Sequence, residues 1–261
     1  MQQPLVDAAA LAAQLTGPAR LYTTVEAVPT TGSTNADLAA AARRGAASGT
    51  VLVADHQSTG RGRFTRRWEA PPGSSVAISV LLRPAAVPPE RWLWLPLVTG
   101  VAVAGALAAL GVRTEVKWPN DVLVGGRKLC GILSEKVLGP EPDAAAAVIG
   151  IGINTTLNAG HLPVPTATSL LLEGCDAEPT RVVAEVLAAL EPAYRRWASG
   201  ADLTSWYARH CDTVGRSVRV LESPTASVEG RAVGVDAVGR LLVDTAAGRR
   251  AFAAGDVFHL R

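Results

Sequence analysis

The sequence predicts an α+β fold: a mixed β-sheet flanked by helices, followed by a small β-only unit. Three observations carry this. As far as Gly215, short apolar or alternating runs are interleaved with Ala-rich segments of helical period. One adjacent pair of runs, 121–124 and 128–137, is joined by Gly125-Gly126 and reads as a hairpin, so the sheet includes antiparallel pairing. Beyond Gly215 only short alternating runs remain.

Taken in order, residues 7–15 read as a short Ala/Leu helix closed near Gly17-Pro18. Residues 21–28 are a strand. A helix follows Thr31-Gly32-Ser33-Thr34-Asn35, capped by Ser33 or Thr34 and ended by Gly45. Residues 51–54 are a short apolar strand. Residues 56–68 have no period and are rich in Gly, Arg, Ser and Thr, so they form a loop. In residues 75–82, Val76, Ile78 and Val80 alternate with Ala77, Ser79 and Leu81, a strand period. Residues 88–111 are a long helix, kinked or restarted at Pro96. Residues 114–118 form a strand stopped by Pro119, the hairpin comes next, and 145–154 is a further strand. In residues 180–197, apolar side chains at spacings of three and four define a helix, bent by Pro192. Runs at 217–221, 228–235, 241–244 and 250–253, with turns at Gly239 and Gly248, suggest a small barrel. A unit of that size is marginal alone and is expected to dock on the larger one. The expected division is 1–213 and 214–261.

Composition narrows the function. The chain has 261 residues, 48% hydrophobic and 18% charged, with mean hydropathy +0.22, which supports a sizeable core and argues against disorder. A net charge of +2 does not describe a globally basic nucleic-acid binder. Positive charge is instead local: Arg61, Arg63, Arg66 and Arg67 fall within seven residues. The apolar stretch 93–110 contains Pro96 and two glycines and fits a buried helix better than a membrane span. Residues 1–19 lack Lys and Arg and carry Asp7, unlike a secretory leader. Cys130, Cys175 and Cys211 are odd in number and widely spaced, which favours a reducing cytoplasm. The four histidines show no ligand spacing.

Four segments carry chemistry. Residues 60–68, Gly-Arg-Gly-Arg-Phe-Thr-Arg-Arg-Trp, combine close-approach glycines with fork-shaped guanidinium donors suited to a polyanion. A solvated basic loop is the plainer alternative, and the Walker and dinucleotide patterns do not fit. Lys117-Trp118-Pro119-Asn120-Asp121 places a lysine at a strand end, aimed at a cleft or at solvent. Gly150-Ile151-Gly152-Ile153-Asn154 lacks the third glycine of a dinucleotide fingerprint and reads as a strand against which something packs closely. Thr31–Asn35 with Gln57 supplies short donors and acceptors, one of which caps the helix while a neighbour faces a ligand.

In this order, Gly-Ser-Thr-Asn at 32–35, Gln57 with Gly-Arg-Gly-Arg at 60–63, Lys-Trp-Pro-Asn-Asp at 117–121, Lys-Leu-Cys-Gly-Ile-Leu at 128–133 and Gly-Ile-Asn at 152–154 resemble the biotin protein ligase family. The resemblance covers 28–154 by motif and the rest by organisation. It implies a sheet related to class II aminoacyl-tRNA synthetases and an SH3-like C-terminal unit. The activity implied is biotinoyl-AMP formation from biotin and MgATP, then transfer to a lysine of a biotin carboxyl carrier domain of a biotin-dependent carboxylase. Ser33, Thr34, Asn35, Gln57, Arg61, Gly62, Arg63, Lys117 and Gly131 are then the expected biotin site. Arg61, Arg63, Arg66, Trp68, Lys117 and Asn154 are expected at ATP or the adenylate, with Trp68 and Asn154 near the adenine. Lys117 and Arg63 are the expected catalytic cations; no protein ligand for Mg²⁺ and no general base stand out. The arginine loop is expected to close over bound biotin. About 30 residues precede Gly32, too few for a helix-turn-helix domain, so no DNA binding is expected. The oligomeric expectation is a monomer or a weak, ligand-induced dimer. Two other readings stay open: a lipoate or octanoate ligase of the same fold, and a non-enzymatic nucleic-acid-binding module.

Overall fold

The computed structural model describes residues 3–139, 145–223 and 225–260. Seven strands form the main sheet in the order β1 (Thr24–Val28), β2 (Thr50–Ala54), β3 (Ser75–Leu82), β7 (Ala146–Asn154), β6 (Arg127–Val137), β5 (Asp121–Val124) and β4 (Glu115–Lys117). β1 and β2 pair in parallel, and every other neighbour is antiparallel. The sheet is therefore mixed, as the hairpin at Gly125-Gly126 implies.

Helices cover both faces. α2 (Thr34–Arg43) packs Leu38, Ala39 and Ala42 against Leu52, Leu81, Val137 and Val148 on one face. α3 (Trp94–Ala109) and α4 (Pro179–Ala198) cover the other face, with α1 (Ala8–Leu15) beside α4. Double coverage explains why β3 is buried at every position, although its sequence alternates. By length and composition residues 89–109 could cross a membrane, yet Leu95, Val98, Val103 and Leu107 are fully buried in the core, as a buried helix requires.

The restart expected at Pro96 falls two residues earlier, at Trp94. A 3-10 turn at Pro89–Leu93 leads into an α-helix that begins at Trp94, which puts Pro96 in the first turn. There its missing N–H has no intrahelical acceptor to lose. α4 runs on through Pro192.

The C-terminal strands β8 (Ser217–Ser223), β9 (Ala226–Val235), β10 (Leu241–Thr245), β11 (Gly248–Phe252) and β12 (Asp256–His259) form an antiparallel sheet in the order β11-β10-β9-β8-β12. Two short elements carry no readable period in the sequence: β12, and the one-turn helix α5 (Thr204–Ala208). The small sheet is docked, as its size demands. Val218, Val220, Leu241 and Val243 join the core that contains α3 and α4. The indole N–H groups of Trp94 and Trp118 donate to Ala237 O (2.9 Å) and Gly239 O (3.3 Å). A side chain at Gly239 would meet Leu97 at 3.2 Å and Trp94 at 3.4 Å. The larger unit thus leans directly on that turn.

Candidate active site

A cleft of about 240 Å³ opens between the arginine loop, the main sheet and β12. Ser33, Thr34, Asn35, Gln57, Arg61, Gly62, Arg63, Arg66, Trp68, Lys117 and Gly131 all line it. Among the expected site residues Asn154 is not in that lining. It is buried in the core, and its amide donates to Thr168 O at 2.9 Å.

The floor is built at the start of α2. Ser33 is the N-cap, accepting the Ala36 N–H at 3.4 Å. This turns Thr34 toward Gln57, whose Oε1 receives the Thr34 backbone N–H at 2.9 Å and lies 3.1 Å from the Thr34 hydroxyl. Behind them, Ser79 of β3 is fully buried. Its hydroxyl lies 2.7 Å from Thr34 Oγ1 and 2.6 Å from Asn35 Oδ1. The Asn35 amide donates to Leu133 O (3.2 Å) and to Glu135 Oε2 (2.7 Å). Gly150 is glycine for a local reason: an added Cβ would lie 2.4 Å from Asn35 Oδ1.

One wall is aromatic. The Trp68 indole lies over two neighbouring glycines, Gly131 of β6 and Gly152 of β7, which pair in register. A Cβ at Gly152 would come within 2.6 Å of the ring, and one at Gly131 within 3.1 Å. The indole N–H is buried without a partner among the described residues.

The arginine loop is closed over the cleft. Gly62 N–H donates to Arg66 O and Trp68 N–H to Gly60 O, making a tight hairpin-like turn. Arg61 pairs with Glu135 at 3.0 Å. Arg63, the least exposed of these arginines, donates to Asn120 Oδ1 (3.3 Å) and Gly255 O (3.1 Å). Arg66 pairs with Asp256 at 2.6 Å. Arg63 and Lys117 therefore converge on one cavity, and Asn120 of the lysine's own motif accepts from Arg63. Burial pulls both below the ordinary range of their types; Asp256 opposes this at Arg63 and Asp121 at Lys117. Lys128 adds another ammonium group, paired with Asp121 at 2.6 Å.

Sequence reasoning gave no place in the ligand site to Ser79, Glu135, Asp121, Lys128, Asp256 or Phe258, and gave Asp121 only a local bond in the turn after Pro119. Asp121 and Lys128 stood inside quoted motifs. Ser79 and Glu135 sit in ordinary strand patterns. Asp256 and Phe258 come from β12, far from the loop in sequence, and no local signal announces them.

Comparisons with known proteins agree with this geometry. Residues 29–154 match the Biotin/lipoate A/B protein ligase family, and 213–260 match the Biotin protein ligase C terminal domain. A Mycobacterium tuberculosis protein named biotin--[acetyl-CoA-carboxylase] ligase is 39% identical over 99% of this chain and 97% of its own length. A Paracoccus denitrificans protein of the same name is 32% identical over 87% of this chain and 97% of its own. The solved biotin protein ligase of Aquifex aeolicus, in complex with biotin and ATP, superposes with a TM-score of 0.76 at 27% identity, covering 92% of this chain and all of that one. With fold, motifs and full-length relatives in agreement, the chain belongs to the biotin protein ligase family.

Proposed function

We propose that this chain activates biotin with ATP and transfers it to a lysine of a biotin carboxyl carrier domain. The observation that carries the reading is the convergence of Arg63, Lys117 and Lys128 over a floor of paired donors and acceptors at Thr34 and Gln57. The ureido ring of biotin offers two N–H donors and one carbonyl acceptor. Each unmatched polar group in such a pocket costs about 1–3 kcal/mol, so the floor must answer all three. Ser33, Thr34, Gln57 and the backbone of the arginine loop do so. The valeryl chain runs from the floor past the Trp68 indole that covers Gly131, and its carboxylate meets the cationic wall.

In the first step a biotin carboxylate oxygen attacks the α-phosphorus of ATP, and pyrophosphate leaves with the electron pair of the broken P–O bond. Two anions meet here, so Lys117 and Arg63 lower the repulsion and stabilise the charge that develops on the phosphoryl oxygens. Arg61 and Arg66 hold the phosphates, and Trp68 packs against the adenine. In the second step the carrier lysine's amine attacks the acyl carbon, forming the amide and releasing AMP. Mg²⁺ would come with ATP and would supply screening of the triphosphate charge. The cleft carboxylates Asp121 and Asp256, and Glu135 beside the cleft, each face a cation, and no cluster of three or more His, Cys, Asp or Glu converges among the described residues. The described residues thus offer no cage for the ion.

We place the unit boundary at 213/214, with both units needed, because Gly255 and Asp256 hold the loop arginines. The unpaired state of Cys130, Cys175 and Cys211 supports a cytoplasmic setting. Arg61, Arg63 and Arg66 are tied to protein partners inside a cleft, which supports an enzyme without DNA binding; a sequence-specific gel shift would contradict that. The proposed state is a monomer or a weak, ligand-induced dimer. The decisive experiment is biotin-dependent ATP–pyrophosphate exchange with the native chain and Lys117→Ala. Exchange in the first and near loss in the second, with an unchanged melting curve, supports the reading. Exchange driven by lipoate and not biotin sinks it.

A further inference from the structure

β4 is an end strand of the main sheet and only three residues long, yet its last residue is Lys117, which lines the cleft. Whatever holds the outer edge of β4 therefore bears on where that cation sits. Two bonds hold it, both from the residues just before the unit boundary. Asp212 N–H donates to Val116 O at 2.8 Å, and Trp118 N–H donates to Thr213 Oγ1 at 3.1 Å. Thr213 is fully buried, and its hydroxyl oxygen lies 3.0 Å from Nε2 of His259 on β12. The protons along this chain can be counted. Thr213 accepts the Trp118 N–H and has one proton of its own to give. Among the described residues Nε2 is the one acceptor bonded to it. The ring proton of neutral His259 then sits on Nδ1, which faces the Asp212 carboxylate at 3.7 Å. The other tautomer would turn a lone pair toward that carboxylate and strand the Thr213 proton.

We propose that His259 is a positioning residue for Lys117: by taking the Thr213 proton on Nε2 it fixes the outer edge of β4, and with it the reach of the ammonium group into the cleft. This rests on the reading of Lys117 as a cation of the biotin-activating site and deepens it. β12 then acts on the lysine from two sides, because the ring of the adjacent Phe258 is centred 5.9 Å from Nζ. The staple holds only while His259 is neutral. A proton on Nε2 turns the acceptor into a donor, so that Thr213 meets two donors and its own proton has nowhere to go. The charged groups around the ring are Lys117 on β4 and, from the segment before β8, Arg216 and Asp212; these last two pair at 2.8 Å. Burial, then Lys117 and Arg216, hold the ring below the ordinary histidine value, and Asp212 opposes them. The ring is thus neutral at neutral pH and gains its proton only on acidification below the usual histidine range.

The test compares the native chain with His259→Phe and His259→Gln in biotin-dependent ATP–pyrophosphate exchange across pH, beside a thermal melt of each. Native kcat falls on the acid side with a midpoint below the ordinary histidine range. At mildly alkaline pH His259→Phe loses roughly tenfold or more in kcat, the worth of one stranded buried donor. The amide oxygen of His259→Gln can take the Thr213 proton but cannot titrate, so this variant recovers most of that loss and lacks the acid limb. An acid limb that persists in His259→Gln, or a His259→Phe chain with native kcat, overturns the proposal. If His259→Phe does not fold, the comparison of native and His259→Gln profiles decides alone. An arm without ligand separates the relay from the biotin reading. In NMR titrations of the native chain the Trp118 backbone amide moves with the same midpoint as the His259 ring, and in His259→Gln it loses that step. A Trp118 amide that ignores the ring's midpoint defeats the relay whatever the substrate. Absence of exchange with biotin in the native chain defeats the proposed function instead, and with it the assignment of Lys117 that the staple serves.

Discussion

Gly152→Ala tests the placement of Trp68 with a single methyl group. Gly152 sits mid-sheet, paired with Ala77 of β3 and Gly131 of β6, so its strand is held on both sides. The added carbon would lie 2.6 Å from Cε2 and 2.8 Å from Cζ2 of the indole. Carbon pairs rest at about 3.5–4.0 Å, so the ring must withdraw by roughly 1 Å. The loop that carries Trp68 is the part free to give. Alanine suits an extended strand better than glycine by about 0.5–1 kcal/mol, which offsets some of the strain. The melting temperature should therefore change little. Catalysis should change much more, because a misplacement of about 1 Å near the reacting groups costs on the order of a hundredfold. The assay is biotin-dependent ATP–pyrophosphate exchange, with kcat and the KM for ATP read separately, beside a thermal melt. Trp68→Phe in the Gly152→Ala background makes room for the methyl and should restore part of the rate. A Gly152→Ala chain with native kinetics and a native melt would refute the packing of Trp68 on β7 as a working part of the site.

Burial lowers the pKa of Lys117, so exchange activity should fall on the alkaline side at a pH below the ordinary lysine range. The stability effect has the opposite sign. The unfolded chain holds this proton more tightly, so the cost of keeping Lys117 charged is present at neutral pH and is relieved as pH rises through the folded value. Lys117→Arg should remove the alkaline limb of the kcat profile, and a limb that stays in place assigns it to another group. Biotin should slow tryptic cleavage at Arg61–Arg67, since a ligand under the loop adds contacts to the closed form; equal cleavage with and without biotin would separate closure from binding. Ser33→Ala removes the cap of α2, whose bond is long at 3.4 Å. The loss should be near the low end of the usual range, about 0.5–1 kcal/mol by urea unfolding, together with a raised KM for biotin. A stability loss with unchanged biotin KM would confine Ser33 to its structural role.

The parts of this protein that were legible in its sequence are those whose physics is local. Ser33 before an Ala run is a cap, Gly125-Gly126 between two strand runs is a hairpin, and four arginines among glycines are a loop; each appears in the structure as such, the loop arginines lining the cleft. Two details were hidden for a related cause: the place of Pro96 within its helix and the burial of both faces of β3. A proline's effect depends on whether the helix starts before or at it, and a strand's alternation means little once helices cover both faces. The groups that hold the site were hidden for a different reason. Ser79, Glu135 and Asp256 act on Thr34, Asn35, Arg61 and Arg66 across 44 or more residues of chain, and β12 exists only because β8 is there to pair with it. A residue that touches a ligand recurs in a short motif because several neighbours must reach the same spot. A residue that aims it need only arrive there after folding. The division has a consequence for variation: the glycines and cations of the loops are constrained by the ligand's shape and charge, whereas Ser79 and Glu135 are constrained by the number of protons each can give or take. A substitution that preserves size but changes that number, such as Glu135→Gln, should do more harm than one that trims an apolar contact at the rim.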